Sequence, residues 1–426
     1  MMSPKRNILA GSIYIVLYAL LIILLVSKVV YAYNNRRGLS HDNSSSIIWA
    51  ELYPFEKQDI PDIPTENKCL FDTIKSRYCL FFSELCSIGE ICKISVPFYS
   101  KITLLSTVIN SCITNPFLNG YYIKLDNGNW THLESSPMGI DDTKKTIDSV
   151  VELSLFLKEE GIPFIYVRPP LKNCKFNNEL PNGFIDCTNI RIDNQVNEMR
   201  SCGINVLDIR DMLHIEGLNH NEMFYKTDHH WKVEYGLWIS NEIEEAIHND
   251  YGINFSIEHT DRSLYRTEVY NDAMFGSIGH TVTHFVEKSE DFVVLFPDFD
   301  TDFLLSIPNL GIDTTGCFKD IFIDYESLHN AVNEGGGYAY ETVLYGSMPL
   351  IQITNNHIKD GPKILVIRDS FASSVAPYLA LGCSKLDLID NRPSNGNFNG
   401  SIRRYIRLMN PDIVILLSNT FCSSYL

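Results

Sequence analysis

Three short apolar runs near the end of the chain constrain its fold most. They are Ile364-Leu365-Val366-Ile367, Leu386-Asp387-Leu388-Ile389 and Ile413-Val414-Ile415-Leu416-Leu417. A strand wetted on one face alternates apolar and polar residues. Near-continuous apolar runs belong to strands covered on both faces, as in a parallel sheet between two helix layers. The intervening segments fit that reading. Ser370 to Leu381 reads as a helix closed by Gly382, and residues 400–409 read as another.

The same rhythm begins near residue 140. Ile147, Val150, Val151, Ser154 and Leu157 repeat at helical spacing and Gly161 follows as a C-cap. Phe164-Ile165-Tyr166-Val167 is a short strand stopped by Pro169-Pro170. A helix over 190–202, a strand at Val206-Leu207-Asp208-Ile209 and a helix from Trp231 to about His248 complete the first block. The expectation is an α/β domain over 140–426, with a flavodoxin-like parallel sheet and helices on both faces. An irregular insertion near 255–350 lies between the two blocks. Its most flexible point is expected at Gly335-Gly336-Gly337.

Upstream the chain is of a different kind. Residues 8–27 carry no charge and are dominated by Ile, Leu, Val, Ala and Tyr. Twenty helical residues rise about 30 Å, enough to cross a bilayer core. Basic residues stand on both sides (Lys5, Arg6, Lys28, Arg36 and Arg37), so charge does not orient the span. The segment 1–33 is expected to be a single-pass anchor with the globular part outside the cytoplasm. The alternative is a signal peptide cleaved near Val30-Tyr31-Ala32, with the rest secreted. Residues 34–67, polar and carrying Pro54, Pro61 and Pro64, read as a linker.

The region 68–139 is Cys-rich at first, with Cys69, Cys79, Cys86, Cys92 and Cys112. An exported chain could form disulfides there. It ends in a hairpin signal, Asp126-Asn127-Gly128 between the apolar runs Gly120–Leu125 and Trp130–Leu133. The net charge of −17 excludes a broad nucleic-acid surface, because no excess of Lys and Arg is available to neutralise phosphates.

Two motifs carry the chemistry. Ser370 follows an apolar strand and opens a helix, at the sheet edge where α/β folds bind ligands. Its backbone N–H, at a helix N-terminus, can point at an oxyanion. Asp228-His229-His230-Trp231 places a carboxylate beside two imidazoles, and the residues alone leave both His229 and His230 as candidate bases. A serine hydroxyl needs a base to take its proton. That base in turn needs a partner that fixes its tautomer and stabilises the imidazolium. Each motif alone also reads as helix caps, Ser370 or Asp369 in one and Thr227 or Asp228 in the other. A metal site built from His214, His220, His229 and His230 is a third reading, but their spacing matches no common zinc motif, and no metal is expected. Arg168 and Lys172, at another strand end, are candidate substrate contacts. Tyr225 and Lys226, just before the motif, are candidates to line the cleft, and Trp231 reads as a core anchor.

Together these residues resemble a known family. Phe224-Tyr225-Lys226-Thr227-Asp228-His229-His230-Trp231 resembles the signature of the DHHW family. So do Gly276-Ser277-Ile278-Gly279, Met348-Pro349-Leu350 with Asn355-Asn356, Leu365 through Ala372, and Asp390-Asn391-Arg392. That family is related to alginate O-acetyltransferase-like SGNH hydrolases, found outside the cytoplasm of bacteria, and the resemblance covers roughly 140–426. It implies an SGNH-hydrolase-like fold with Asp228 orienting, His230 as general base and Ser370 as nucleophile. His229 then takes the variable position, and it and Arg368 are candidate substrate contacts. The implied reaction is transfer of an acetyl group to, or its removal from, a cell-surface polysaccharide through an acyl-serine. It requires no cofactor. The implied partners are the polysaccharide and an acetyl donor, with a membrane acyl carrier protein as one candidate. The alternative function is a non-catalytic glycan-binding or envelope-assembly protein that keeps the fold.

Overall fold

The computed structural model describes residues 117–118, 122–132 and 140–419, apart from 178, 182–183, 185, 257–258, 283–286, 334–335, 393–397 and 399–400. The expected span at 8–27, the linker and the clustered cysteines lie outside the described residues. Among the described residues no helix is long and apolar enough to cross a membrane.

The apolar runs form the centre of an eight-stranded sheet. Its strands are, in chain order, β4 (Phe164–Arg168), β5 (Asn205–Asp208), β8 (Phe303–Ile307), β9 (Ile312–Gly316), β10 (Leu350–Asn355), β11 (Lys363–Arg368), β12 (Lys385–Ile389) and β13 (Ile413–Leu417). Their spatial order is β5-β4-β13-β11-β12-β10-β8-β9. The first five are mutually parallel. The last three are antiparallel. The expectation of a parallel sheet therefore needs correction: the sheet is mixed, and its antiparallel edge comes largely from the insertion. β8 and β9 pair as a hairpin around a left-handed Gly311, a short return that a parallel pair cannot make.

Two-sided burial explains the continuous apolar runs. On β11, Ile364 and Val366 enter one core and Leu365 and Ile367 the other. On β13, Ile413, Ile415 and Leu417 enter the first, and Val414 and Leu416 the second. Successive side chains point to opposite faces, so a strand with a core on each side favours apolar residues at nearly every position. The smaller core lies under α1 (Ile140–Glu159), α2 (Thr188–Ser201) and a helix over Ile402–Met409. The larger one receives α3 (Ile209–Ile215), α4 (Gly236–Tyr251) and most of the insertion.

The 255–350 stretch is more ordered than its sequence suggests. β6 (Tyr265–Met274) and β7 (Glu290–Pro297) form a long antiparallel pair, with a short helix, Ser277–Val282, between them. Gly337 is not a hinge. A Cβ there would lie 2.6 Å from Ala331 Cα, so glycine is needed for close backbone approach, and Gly337 O accepts from Phe275 N at 2.8 Å. The expected hairpin is present as β2 (Tyr122–Lys124) and β3 (Trp130–His132), with Gly128 left-handed in the turn and β1 (Phe117–Leu118) paired antiparallel to β2. It packs within the same compact unit, Thr107–Leu426, where Trp130 joins Ile278 and Val282.

Two contacts bring the distant motifs together. Trp231 is fully buried, and its Nε1 donates to Phe371 O at 3.1 Å and to Ser374 Oγ at 2.6 Å. Gly236, at the start of α4, faces the same segment: a Cβ there would lie 1.9 Å from Ser374 O. Replacing Gly236→Ala forces backbone apart in a packed core. It is expected to lower stability by about 1–3 kcal/mol, read as a drop in the urea midpoint; an unchanged midpoint would refute the contact.

Candidate active site

Asp228, His229 and His230 lie on a tight turn closed by a single antiparallel bridge between Phe224 and Trp231. The helix expected from Trp231 starts later, with one 3-10 turn at Val233–Tyr235 and then α4. Ser370 begins a 3-10 segment, Ser370–Ser374, at the carboxyl end of β11. Asp369 is the cap of that segment: its Oδ1 accepts from Phe371 N at 3.0 Å, and its Oδ2 accepts from Asn419 N at 2.6 Å and Ser418 Oγ at 3.1 Å. With Asp369 capping, the hydroxyl of Ser370 is left for another partner.

That partner is His230. Its Nε2 lies 2.7 Å from Ser370 Oγ, and its Nδ1 lies 2.6 Å from Asp228 Oδ1. An ionised carboxylate only accepts, so Nδ1 carries the ring proton and Nε2 accepts from the serine. The imidazole stacks on Tyr340 at 4.1 Å, and the Tyr338 hydroxyl stands 3.3 Å from Nδ1. The Tyr340 hydroxyl donates to Ser370 O at 3.0 Å, so one side chain braces both partners.

Asp228 is wholly buried, and every contact around it serves its charge. Oδ1 accepts from His230 N at 2.9 Å as well as from the ring. Oδ2 accepts from Ser277 N at 2.8 Å and Ser277 Oγ at 3.0 Å. Burial opposes ionisation, but the attraction of His230 and these hydrogen bonds outweigh it. The carboxyl is held far below the usual carboxylate range. Gly276 makes room for it: a Cβ there would lie 2.4 Å from Asp228 Oδ2.

The backbone of the turn is gripped from two sides. Lys172 Nζ donates to the carbonyls of Tyr225, Lys226 and Asp228 at 2.6, 2.8 and 2.7 Å. The Glu290 carboxylate accepts from Lys226 N, Thr227 N and Thr227 Oγ at 2.9, 3.0 and 3.0 Å. A cation thus holds the acceptors of 225–228 and an anion holds the donors, with the two charges attracting through the chain.

Several expected substrate contacts lie inside the protein. Lys172, Arg168, Arg368 and Tyr225 are buried. Lys172 serves the turn. Arg168 donates to Asn419 O and Oδ1 at 3.1 and 2.6 Å. Arg368 donates to Ser373 Oγ, Gly346 O and Met348 O. The Tyr225 hydroxyl accepts from Val233 N at 3.4 Å. These long polar side chains sit where buried backbone groups need partners, which a strand-end position in sequence does not reveal. Lys226 and His229 are exposed beside the triad. His229 Nδ1 lies 3.3 Å from Ser277 Oγ. Glu290, Tyr338 and Tyr340 were not singled out from sequence, and Ser277 only as part of a motif; all four lie in the insertion, with no periodic signal to mark them.

Among the described residues, Asp228, His229 and His230 bring one ligand atom each within 4.8 Å of one another, the one cluster that could hold a metal ion. His214 and His220 do not join it. The first stacks on Phe176 at 3.9 Å and the second contacts Leu171 O at 2.7 Å. A metal on His230 Nδ1 would displace the 2.6 Å bond to Asp228.

No protein-family model matches the chain, and no curated protein sequence matches it. Solved structures do. Bacillus cereus PatB1 with a sulfonyl adduct superposes with a TM-score of 0.55 at 17% identity, over 70% of this chain and 93% of that one. A second structure of PatB1 gives 0.53 at 18%, over 65% and 89%. The chain shares the fold of PatB1. A DHHW family protein from Eubacterium siraeum is also among the neighbours, with a TM-score of 0.49 at 15% identity, over 70% and 89%.

Burial pulls the Lys172 ammonium down from its ordinary 10.5 to about 7, against the attraction of Asp228, Glu290 and Glu287. Between those values the unfolded chain holds a proton that the folded chain has released, so raising the pH favours folding. Burying this lysine therefore lowers stability at pH 7 and below, and the penalty fades towards pH 10. Measured by urea unfolding, the protein should gain stability relative to Lys172→Met as pH rises from about 7 to 10. A difference that stays flat over that range would contradict a depressed Lys172.

Proposed function

We propose that the chain is an exported serine-dependent O-acetyltransferase or acetylesterase acting on a cell-surface polysaccharide through an acyl-serine. One observation carries the reading: Ser370 Oγ, His230 and Asp228 form a continuous hydrogen-bonded relay, with steps of 2.7 and 2.6 Å. These distances are those of an activated nucleophile with an oriented base. The motif resemblance to the DHHW family supports the acetyl chemistry and the glycan substrate. The uncharged run at 8–27 supports a membrane anchor with an extracytoplasmic domain.

In this mechanism Ser370 Oγ attacks the acetyl carbonyl while His230 Nε2 takes its proton. Asp228 holds the ring in the Nδ1–H tautomer and stabilises the imidazolium. His230 then returns the proton to the departing alkoxide as the tetrahedral intermediate collapses to acetyl-serine. Attack by a sugar hydroxyl completes a transfer; attack by water completes a hydrolysis. The stacked Tyr340 and the gripped turn keep the imidazole from rotating, which preserves the attack geometry.

Since PatB1 is known with a sulfonyl adduct, a sulfonyl fluoride is a suitable probe. Incubation of the full chain should add one sulfonyl group at Ser370, located by mass spectrometry of the peptides. Ser370→Ala should abolish labelling, and His230→Ala should slow it by at least about a thousandfold while leaving the melting transition in place. Labelling elsewhere, or a His230→Ala variant that labels at the normal rate, would sink the acyl-serine mechanism and leave the glycan-binding alternative. Incubation with an activated acetyl ester should leave acetyl on the same serine.

A further inference from the structure

Beside the triad lies a cavity of about 550 Å³, within the range of small-molecule sites. Tyr338 belongs to both: its hydroxyl is 3.3 Å from His230 Nδ1 and its side chain lines the cavity. Most of the remaining wall comes from two parts of the insertion. One is the helix Tyr325–Asn333 with its cap Asp324; the other is the segment Glu341–Met348.

The second wall is built at a conformational cost. Leu344, Tyr345 and Gly346 are successive left-handed residues, with φ of 53°, 56° and 77°. Side chains other than glycine rarely adopt that conformation, and such strain persists only where surrounding contacts enforce it. Here the contacts are two arginines behind the wall. Arg368 Nη2 donates to Gly346 O at 3.2 Å and Met348 O at 3.4 Å, and Arg392 Nη2 donates to Ser347 Oγ at 3.2 Å. Arg368 also donates to Ser373 Oγ at 2.9 Å, so it links this wall to the segment that carries Ser370.

The lining is polar and of one sign. Tyr338, Tyr345, Ser347 and Asn330 offer hydroxyl, amide and aromatic groups, and Asp324 and Glu341 add two carboxylates. Among the described residues, no lysine, arginine or histidine lines it. The cations behind the wall are already engaged: Arg368 binds backbone carbonyls, and Arg392 is paired with Asp390 at 2.6 Å. Hydroxyls, an amide and aromatic rings suit the hydroxyls and apolar faces of a sugar. Two carboxylates without a basic partner repel a second anion, and the chain's net charge of −17 adds to that field.

We propose that this cavity is a glycan subsite for neutral or amino-bearing sugars, and that it excludes uronate-type polyanions. The proposal rests on the acyl-serine reading above and names the class of sugar presented to that serine. It is tested on the full chain in detergent carrying Ser370→Ala, so that nothing turns over. Calorimetric titration would use three tetrasaccharides: N-acetylated chitotetraose (neutral), its de-N-acetylated form (cationic) and tetragalacturonate (anionic). The first two should bind at least about tenfold more tightly than the third. Adding Asp324→Asn and Glu341→Gln should close that gap by raising tetragalacturonate affinity and lowering that of the cationic sugar.

Tetragalacturonate binding as tightly as neutral chitotetraose would overturn the proposal. So would failure of all three to bind, or a gap unmoved by the double substitution. The sulfonyl probe on the unsubstituted chain separates the two readings. Labelled Ser370 without sugar binding removes only the subsite. Sugar binding without labelled Ser370 removes only the acyl-serine.

Discussion

A buried negative charge organises this molecule. Asp228 is removed from water entirely, and an isolated carboxylate there would be untenable. It is tolerated because its two oxygens receive four hydrogen bonds, two from His230 and two from Ser277. Each donor imposes a condition on the chain. Ser277 must approach from the insertion, which requires the absence of a side chain at Gly276. His230 must hold one rotamer, which the Tyr340 ring and the tight turn enforce. The turn must keep its backbone groups satisfied, which Lys172 and Glu290 do from opposite sides.

This arrangement separates stability from chemistry in a specific way. Ion pairs in a protein interior offset their own desolvation only with close geometry and full hydrogen bonding. Lys172 falls short of that condition: burial still depresses its ammonium against the attraction of Asp228, Glu290 and Glu287, so its grip on the carbonyls of 225–228 is held at a cost in stability. The result is a stiff support behind a catalytic-type relay, with Lys172 buried and Glu290 partly exposed. Trp231 adds the long-range link: its indole N–H reaches the segment that carries Ser370, so the two halves of the relay share one packed interface.

Much of the frame was legible in the sequence. Ile364–Ile367 and Ile413–Leu417 announced strands covered on both faces, and both strands feed two cores. Residue type, spacing and position at a strand end mark Asp228, Ser370 and two candidate bases, and the resemblance to the DHHW family selects His230 over His229. The antiparallel edge was not legible. β9, the edge strand, carries Asp313, Thr314 and Thr315, a polar pattern that reads equally as loop, and β8 beside it is only five residues long. Arg168 and Lys172, from their strand-end position, and Arg368, within the resembling motif, read from sequence as substrate contacts. Here they turn inward, since unpaired backbone carbonyls are costlier to bury than a bonded cation's stem is to order.

The sequence by itself determined the period-two burial, the strand-to-helix turn at Ser370 and the close coupling of Asp228 to His230. These are local, decided within a few residues by backbone geometry and side-chain chemistry. The tertiary structure alone decided which distant groups complete the site. Ser277 and Glu290 lie 49 and 62 residues from Asp228, Lys172 lies 56 before it, and Ser370 lies 140 beyond His230. Such partners leave no periodic mark on a chain. They are selected by the requirement that every buried donor, acceptor and charge find its complement, a condition that can be met only once the sheet has brought its strand ends to one rim.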